Sequence, residues 1–548
     1  MVSTRQRSFS NDDAFPTLQL FILAVCRVAE PIALTSIFPY SWVMVREFQV
    51  GRPDDASFYS GILVAAFSLA EALTGMHWGS LSDRIGRKPV LLLGCAGTML
   101  SLLVVGFAPN YWVALIGRII GGVLNGNIGV IQTMVGELVK RPEHEPRAYA
   151  VMPFVWSVGT IIGPAIGGIL AKPAEGFPSY FSKDGLFGKF PFLLPNLVCS
   201  GFLTMSIIAG AILLEETHPM LREKKYMRIG DNRDNGAAET PLMATAGAVA
   251  NAGADLRAES YGTFNQVEMQ REETWHVFAD GSKESSSLPQ NKAFTYRVIM
   301  LVIALGIFTY HSMTFDHLLP IFLQDKHLAD QPAPRHGWLH IPGGLGLSIK
   351  TVGMVMSVDG LIALFIQSVV FPPLAQWLGV WKLFVLVTTL HPIAYFIVPF
   401  LVFLPSKLLF PGIYTCLVVR NVLSIIAYPV LLILIKQASP STTVLGKING
   451  LAASAGAACR TVAPPAAGYL YSLGSQIGCT AIAWWASSVV AFLGVMQLWW
   501  MHQKRDRQVT INAATSCLDA AMGNHPGGQI PEARVHVIVH DPESAPQH

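Results

Sequence analysis

Twelve apolar stretches dominate the sequence, and each approaches or exceeds the roughly 20 residues that a helix needs to cross about 30 Å of hydrocarbon. They run at about 18–42, 58–78, 89–108, 111–137, 148–171 and 191–214, and again at 296–322, 349–371, 382–404, 408–436, 446–473 and 477–501. Backbone polar groups in lipid are satisfied only in helices or closed barrels. Runs this long, with no strict alternation of apolar and polar residues, exclude a barrel. The expected fold class is therefore an all-α membrane protein of 12 transmembrane helices, arranged as two six-helix bundles.

The residues between the runs divide the chain. Residues 1–17 read as a polar tail, 18–214 as the first bundle, 215–295 as a flexible linker, 296–501 as the second bundle and 502–548 as a second polar tail. The linker is rich in Ala, Gly, Ser, Asn, Glu and Asp without sustained apolar periodicity, the signature of a chain that cannot bury a core. Only 13% of the residues are charged, against about 25% in soluble domains. The net charge of +3 says little about partners when so much surface faces lipid. The seven cysteines lack CxxC spacing and fall mostly in apolar runs, so they read as small core residues rather than disulfides or metal ligands. No cleavable leader is expected, because the first run is too long and holds charges in its middle.

Basic residues in short loops set the expected orientation. Arg84, Arg87 and Lys88 follow the second run, Lys140, Arg141 and Arg147 the fourth, and Arg222, Lys224, Lys225 and Arg228 the sixth; Lys504, Arg505 and Arg507 follow the twelfth. The opposite loops are poor or mixed: 108–111 has no basic residue, and 47–57 sets Arg52 against Glu47, Asp54 and Asp55. Both termini are thus expected in the cytoplasm. No sorting signal decides between plasma membrane and vacuole.

Ionisable groups inside the apolar runs are costly and mark function. Arg27 and Glu30 share a face of the first span; they either neutralise each other or leave Glu30 as a proton carrier, since burial favours the neutral carboxyl. Asp359 and Glu71 are the next candidates for proton coupling, although Glu71 can equally pack against His77. Arg118, Arg420 and Arg460 place cations in the spans, and with Arg27, Asn125, Gln132, Gln367 and Asn421 they are candidates to line a central substrate cavity. Phe38, Tyr40, Trp42, Phe154, Trp156 and Tyr428 could supply its apolar wall, or anchor helix ends at the interface.

Three motifs carry a resemblance. The loop Gly79-Ser-Leu-Ser-Asp83-Arg84-Ile-Gly86-Arg87-Lys88 resembles the G-x-x-x-D-R-x-G-R-[KR] signature between helices 2 and 3 of the major facilitator superfamily; Asp83 can pair with Arg84 or Arg87. Gly159-Thr-Ile-Ile-Gly163-Pro164-Ala-Ile-Gly167-Gly168 resembles the helix 5 motif that the superfamily associates with proton antiporters; close packing of small residues is the plainer alternative for the glycines. Arg118-Ile-Ile-Gly-Gly122 resembles its helix 4 pattern, in which the arginine is linked to proton transfer; here it can also serve as a static counter-ion for Glu30 or Glu71. The halves also repeat. Gly79–Gly86 lines up with Pro372–Gly379, which has lost the Asp and Arg, and Arg118 and Pro164 have counterparts in Arg420 and Pro465. Within the superfamily, Cys26-Arg27-Val-Ala-Glu30-Pro31, Phe38-Pro39-Tyr40 and Leu445-Gly-Lys-Ile-Asn449-Gly-Leu-Ala452 are similar to a fungal branch related to the plant zinc-induced-facilitator-like transporters and drug:H+ antiporters.

The resemblance implies a monomeric secondary transporter that exchanges protons for a small organic molecule by alternating access and needs no cofactor, with the 79–87 loop gating at the membrane face. A nutrient importer and a sensor signalling through its tails are the alternatives. No Walker A pattern and no nucleophile–base or metal-ligand constellation appears, so neither an ATP-driven pump nor an enzyme is expected. Nothing points to nucleic acid.

Overall fold

The structure, a computed structural model, describes residues 16–139, 151–218, 276–277, 283–284, 294–326, 341, 343–439 and 442–501. The tails, most of the linker, and Lys140, Arg141 and Arg147 lie outside the described residues. The first half contains α1 (Thr17–Thr35), α2 (Ala56–Ile85), α3 (Arg87–Gly106), α4 (Tyr111–Leu138), α5 (Val151–Leu170) and α6 (Leu193–Leu213). The second contains α7 (Tyr296–Gln324), α8 (Ile349–Leu378), α9 (Val380–Phe403), α10 (Ser406–Ala438), α11 (Thr442–Ile477) and α12 (Ala481–Leu498). Among the described residues, ten helices are long and apolar enough to span a membrane; α5 and α11 fill the fifth and eleventh positions. Both halves belong to one compact unit ending at Trp499. In the linker, His276–Val277 pairs antiparallel with Lys283–Glu284, a short hairpin where only coil is expected from composition.

Polar residues at the span boundaries start the helices. The side chains of Asn110, Thr295 and Ser348 accept from the amides of Val113, Val298 and Thr351, capping α4, α7 and α8. Gly86 and Gly379 show the internal repeat most directly. Each closes one helix and opens the next, with φ +105° and +76°, and each amide bonds a carbonyl four residues back at 3.1 Å. A side chain at such a φ is strained, which explains glycine at both ends of the Gly79–Gly86 and Pro372–Gly379 repeat.

Among the described residues, the fourth, eighth and ninth spans depart from regular helix. The fourth run breaks at Asn125 and Gly126, the eighth carries a π turn at Ile366–Val370, and the ninth ends in a 3-10 stretch at Val398–Phe403. The fourth break is pinned by close packing: a Cβ on Gly126 would lie 2.2 Å from Trp78 Cβ, and one on Gly122 2.3 Å from Phe67 O.

The halves meet along two antiparallel helix pairs, α2 with α11 and α5 with α8, where small residues let backbones touch. A Cβ on Gly468 would sit 2.2 Å from Ser57 O, one on Gly61 2.3 Å from Pro464 O, one on Gly353 2.5 Å from Pro164 O and one on Gly360 2.9 Å from Thr160 O. All of these lie toward the end opposite the Gly79–Lys88 loop or near mid-span. At that distal end polar ties add to the seam. Ser472 and Ser475 donate to Asp55 (2.9 Å) and Asp54 (3.2 Å), Gln324 Nε2 donates to Pro39 O (2.8 Å), and His317 Nε2 lies 3.3 Å from Ser57 O. Toward the loop face α2 and α11 carry Gly75 and Gly450, where a Cβ would meet none of the described residues within 4 Å.

Candidate functional site

A cavity of about 200 Å³ lies between the halves at mid-span, lined by α1, α2, α4 and α5 on one side and α7, α8, α10 and α11 on the other. Its polar wall centres on α10. Arg420 Nη2 donates to Asp316 Oδ1 of α7 at 2.6 Å, and Asn421 Nδ2 donates to Asp359 Oδ1 of α8 at 2.7 Å. Arg420 and Asn421 are buried, whereas Asp316 retains 31% of its side-chain exposure, on the cavity. Arg118 lines the opposite wall. Its Nε donates to Leu63 O (3.3 Å) and its guanidinium lies 4.7 Å from the Phe67 ring centre. Arg420 repeats this arrangement 4.4 Å over Phe315, so the sequence pair Arg118/Arg420 is also a structural pair. Arg460, Phe38, Trp156 and Tyr428 complete the part of the wall expected from sequence, and Pro164 of the helix 5 motif lines it too.

Other expected residues lie elsewhere. Glu30 is fully buried inside the first bundle, paired with Arg27, and it accepts from Asn125 Nδ2 (3.0 Å) and Asn127 Nδ2 (2.9 Å). Asn125 Nδ2 also donates to Glu71 (3.1 Å). Glu30, Arg27, Asn125 and Glu71 thus form a cluster beside the cavity rather than in its wall. Gln367 accepts from Ser157 Oγ (3.3 Å) across the α5–α8 seam, and the side chain of Gln132 lies outside the described residues. Phe154 is exposed, while Tyr40 and Trp42 are buried in the distal core.

Glycines of the helix 5 motif face α1: Cβ atoms on Gly159, Gly163 and Gly167 would lie 2.2, 2.0 and 1.8 Å from Pro31 Cβ, Thr35 Oγ1 and Ser36 O. Gly168 faces the other half at Gly353, as do the backbones of Pro164 and Thr160, which lie against Gly353 and Gly360. The motif therefore packs α5 on two sides, its Gly159, Gly163 and Gly167 against α1 and its Thr160, Pro164 and Gly168 against α8 of the other half.

At the loop, Arg87 Nη1 donates to Asp83 (2.5 Å) and Ser82 Oγ (2.7 Å), and Nε and Nη2 both reach Glu137 Oε1 at 3.1 Å. Arg84 is exposed. Glu216, just past α6, accepts from the amides of Arg87 (2.9 Å) and Lys88 (3.1 Å), placing a carboxylate on the start of α3 where the helix dipole favours it. Thr217 donates to Glu137 (2.7 Å), so the root of the linker clasps the loop.

Sequence reasoning missed Asp316, His317, Glu137 and Glu216. A carboxylate in the middle of the 296–322 run was the available signal for Asp316. Glu137 and Glu216 sit at span ends, where acids are common.

The Major Facilitator Superfamily profile matches residues 23–458. The chain is 40% identical over 537 residues to the "Major facilitator superfamily multidrug transporter mfsB" of Aspergillus fumigatus, covering 93% of this chain and 88% of that protein. It is 28% identical over 492 residues to "Protein ZINC INDUCED FACILITATOR-LIKE 1" of Arabidopsis thaliana, covering 88% and 91%. Among solved structures, a D-xylose-proton symporter superposes with a TM-score of 0.56 at 13% identity over 90% of this chain and 99% of that one. The chain is a multi-pass membrane protein and a transporter of small molecules rather than an enzyme; it belongs to the major facilitator superfamily.

Proposed function

We propose that the chain is a proton-coupled antiporter that exports a small organic molecule by alternating access of the cavity between its two halves. The observation that carries this reading is Asp359. It is an acid in the wall of a cavity shared by both halves, held by the buried amide of Asn421 and accompanied by the Asp316–Arg420 pair. Proton and substrate compete for that wall: a protonated Asp359 loses its charge and part of its hold on a polar substrate group. Such competition shifts the two-state equilibrium only because the states bind each ligand unequally. Phe38, Phe67, Trp156 and Tyr428 offer apolar area to the body of the substrate. The multidrug name of the Aspergillus relative supports export of an organic compound.

Among the described residues, the closed distal seam and the open space that a Cβ on Gly75 or Gly450 would meet fit a state open toward the loop face. That face and both termini are, in this reading, cytoplasmic, which the basic residues of the loops favour, and the protein is a monomer of the plasma or vacuolar membrane. In this reading Gly79, Asp83, Arg84, Gly86 and Arg87 stabilise the other state, in which the loop faces of the halves meet. A panel of toxic organic compounds on a strain lacking the protein identifies the substrate, and Asp359→Asn is then compared with wild type. Full resistance with the asparagine removes Asp359 from the mechanism.

A further inference from the structure

We propose that the distal seam and the ligand compete for the single ring proton of His317, so that the exported compound opens the seam by presenting a hydrogen-bond acceptor. The inference deepens the export reading by naming a substrate class, and it rests on that reading only for the direction of travel.

His317 stands where cavity and seam meet. It is 2% exposed, it lines the cavity, and its Nε2 lies 3.3 Å from the backbone oxygen of Ser57 in the other half. A carbonyl oxygen only accepts, so Nε2 is the nitrogen that carries hydrogen. Charge is costly at this depth, and a neutral imidazole has one proton for its two nitrogens. With that proton on Nε2, Nδ1 is an acceptor on the other side of the ring. The acids of the same wall have donors of their own: Arg420 holds Asp316 at 2.6 Å, and Asn421 holds Asp359 at 2.7 Å. Ser57 is also a point of backbone contact between α2 and α11, since its oxygen would lie 2.2 Å from a Cβ on Gly468. The His317 bond thus ties α7 to a point where the halves already touch.

A ligand group that donates to Nδ1 keeps the proton on Nε2, and the seam bond with it. A ligand group that accepts does the reverse. Its lone pair faces the lone pair of Nδ1 unless the ring proton moves there. Nε2 then gives its proton to water, water returns one to Nδ1, and the ring stays neutral. The Nε2 lone pair is left against Ser57 O, and the tie across the seam is lost. Water donates or accepts equally well, so a water-filled cavity leaves the proton on Nε2 and the distal end shut. A compound bearing a carbonyl, ether or carboxylate oxygen loosens the seam from within. That is the order an exporter needs: loading from the loop face, then opening of the far one.

Met313 lines the cavity one turn before His317 on the same face of α7, so a group tethered there sits beside the imidazole without needing affinity. Met313→Cys, in full-length protein without native cysteines in phosphatidylcholine nanodiscs, is modified with methanethiosulfonates carrying 3-oxobutyl, 3-methylbutyl or 2-aminoethyl groups. The first two match in shape and differ in the acceptor. Hydrogen–deuterium exchange of peptides 52–62 and 465–476 reads the seam. The ketone adduct is expected to exchange about fivefold faster than the hydrocarbon adduct, the worth of one neutral hydrogen bond, and the amine adduct no faster than the hydrocarbon. In His317→Phe the ketone and hydrocarbon adducts are expected to exchange alike. Equal exchange of those two adducts with His317 present, or a ketone effect that survives His317→Phe, overturns the proposal. Should Met313→Cys not fold, the nitrogen-15 ring resonances of the unmodified protein decide, with His317 assigned by its loss in His317→Gln. A proton on Nε2 alone supports the proposal, and one on Nδ1 or on both nitrogens overturns it. If the adducts behave as stated but a pH gradient drives no flux, the antiport reading fails alone; adducts that exchange alike beside gradient-driven flux sink only this inference.

Discussion

Gly468→Ala is a one-methyl wedge in the distal seam. The new Cβ would lie 2.2 Å from Ser57 O, 2.6 Å from Ser57 C and 2.9 Å from Phe58 Cα. All three are backbone atoms, so no side chain can swing aside, and reaching ordinary contact near 3.4 Å requires α2 and α11 to part by about 1 Å. Overpacking of this kind costs about 1–3 kcal/mol. Alanine also favours a helix over glycine by about 1 kcal/mol, but that gain is present in both conformations and cancels. The steric cost falls only on the state with the distal seam closed. It therefore shifts the closed-to-open ratio by about 5- to 150-fold. The assay is labelling of Met356→Cys, in the cavity wall next to the seam, by a membrane-impermeant maleimide from the distal side, in a background without native cysteines. Labelling is expected to rise with Gly468→Ala and to stay unchanged with Gly450→Ala, where a Cβ meets none of the described residues within 4 Å. Equal labelling of Gly468→Ala and its parent, both folded, would refute the claim that this seam closes the cavity.

Three further perturbations follow from the same geometry. Asp316→Ala leaves the buried Arg420 guanidinium without its carboxylate; breaking a buried pair costs about 3–5 kcal/mol, near the lower end here because Asp316 retains 31% side-chain exposure, and a fall in the thermal midpoint of the purified protein checks it. Gly86→Ala strains a backbone at φ +105°, costing about 1–3 kcal/mol at the start of α3, and should lower both thermal stability and flux; an unchanged protein would mean that the loop relaxes freely. Asp325, just past α7, has its carboxyl pushed up from the ordinary value by burial, against the opposing hydrogen bond from Tyr471, and it sits on the distal side with Arg46 and Asp54 nearby. A raised carboxyl favours the buried, closed arrangement in its protonated form. Distal closure is therefore full below the ordinary Asp range of about 4 and weakens as pH rises through the raised value, and Asp325→Asn should flatten the pH dependence of maleimide labelling.

Spans, repeat and loop were legible because lipid leaves few options for backbone polar groups, and because glycines at Gly86 and Gly379 answer a local φ requirement. The Arg118/Arg420 correspondence was legible for the same reason, as duplicated helices carry it to equivalent places. Asp359, Arg420, Asn421 and Arg460 could be nominated from the cost of polar groups in lipid. Which of the nominated residues share a cavity depends on helix rotation, and a continuous apolar run hides it. Thus Glu30 and Glu71 lie beside the cavity, while Asp316, not singled out, lines it. The break at Asn125 was hidden because its flanks are as apolar as the helices on either side. The clasp of Glu216 on the start of α3 depends on a contact between segments some 129 residues apart, beyond any local pattern.

The most direct test of the account is flux of the exported compound in proteoliposomes under an imposed pH gradient, wild type beside Asp359→Asn. Accumulation against its own gradient, reversed when the pH gradient is reversed and lost in the asparagine variant, is the expected result. Flux that ignores the pH gradient would contradict the account.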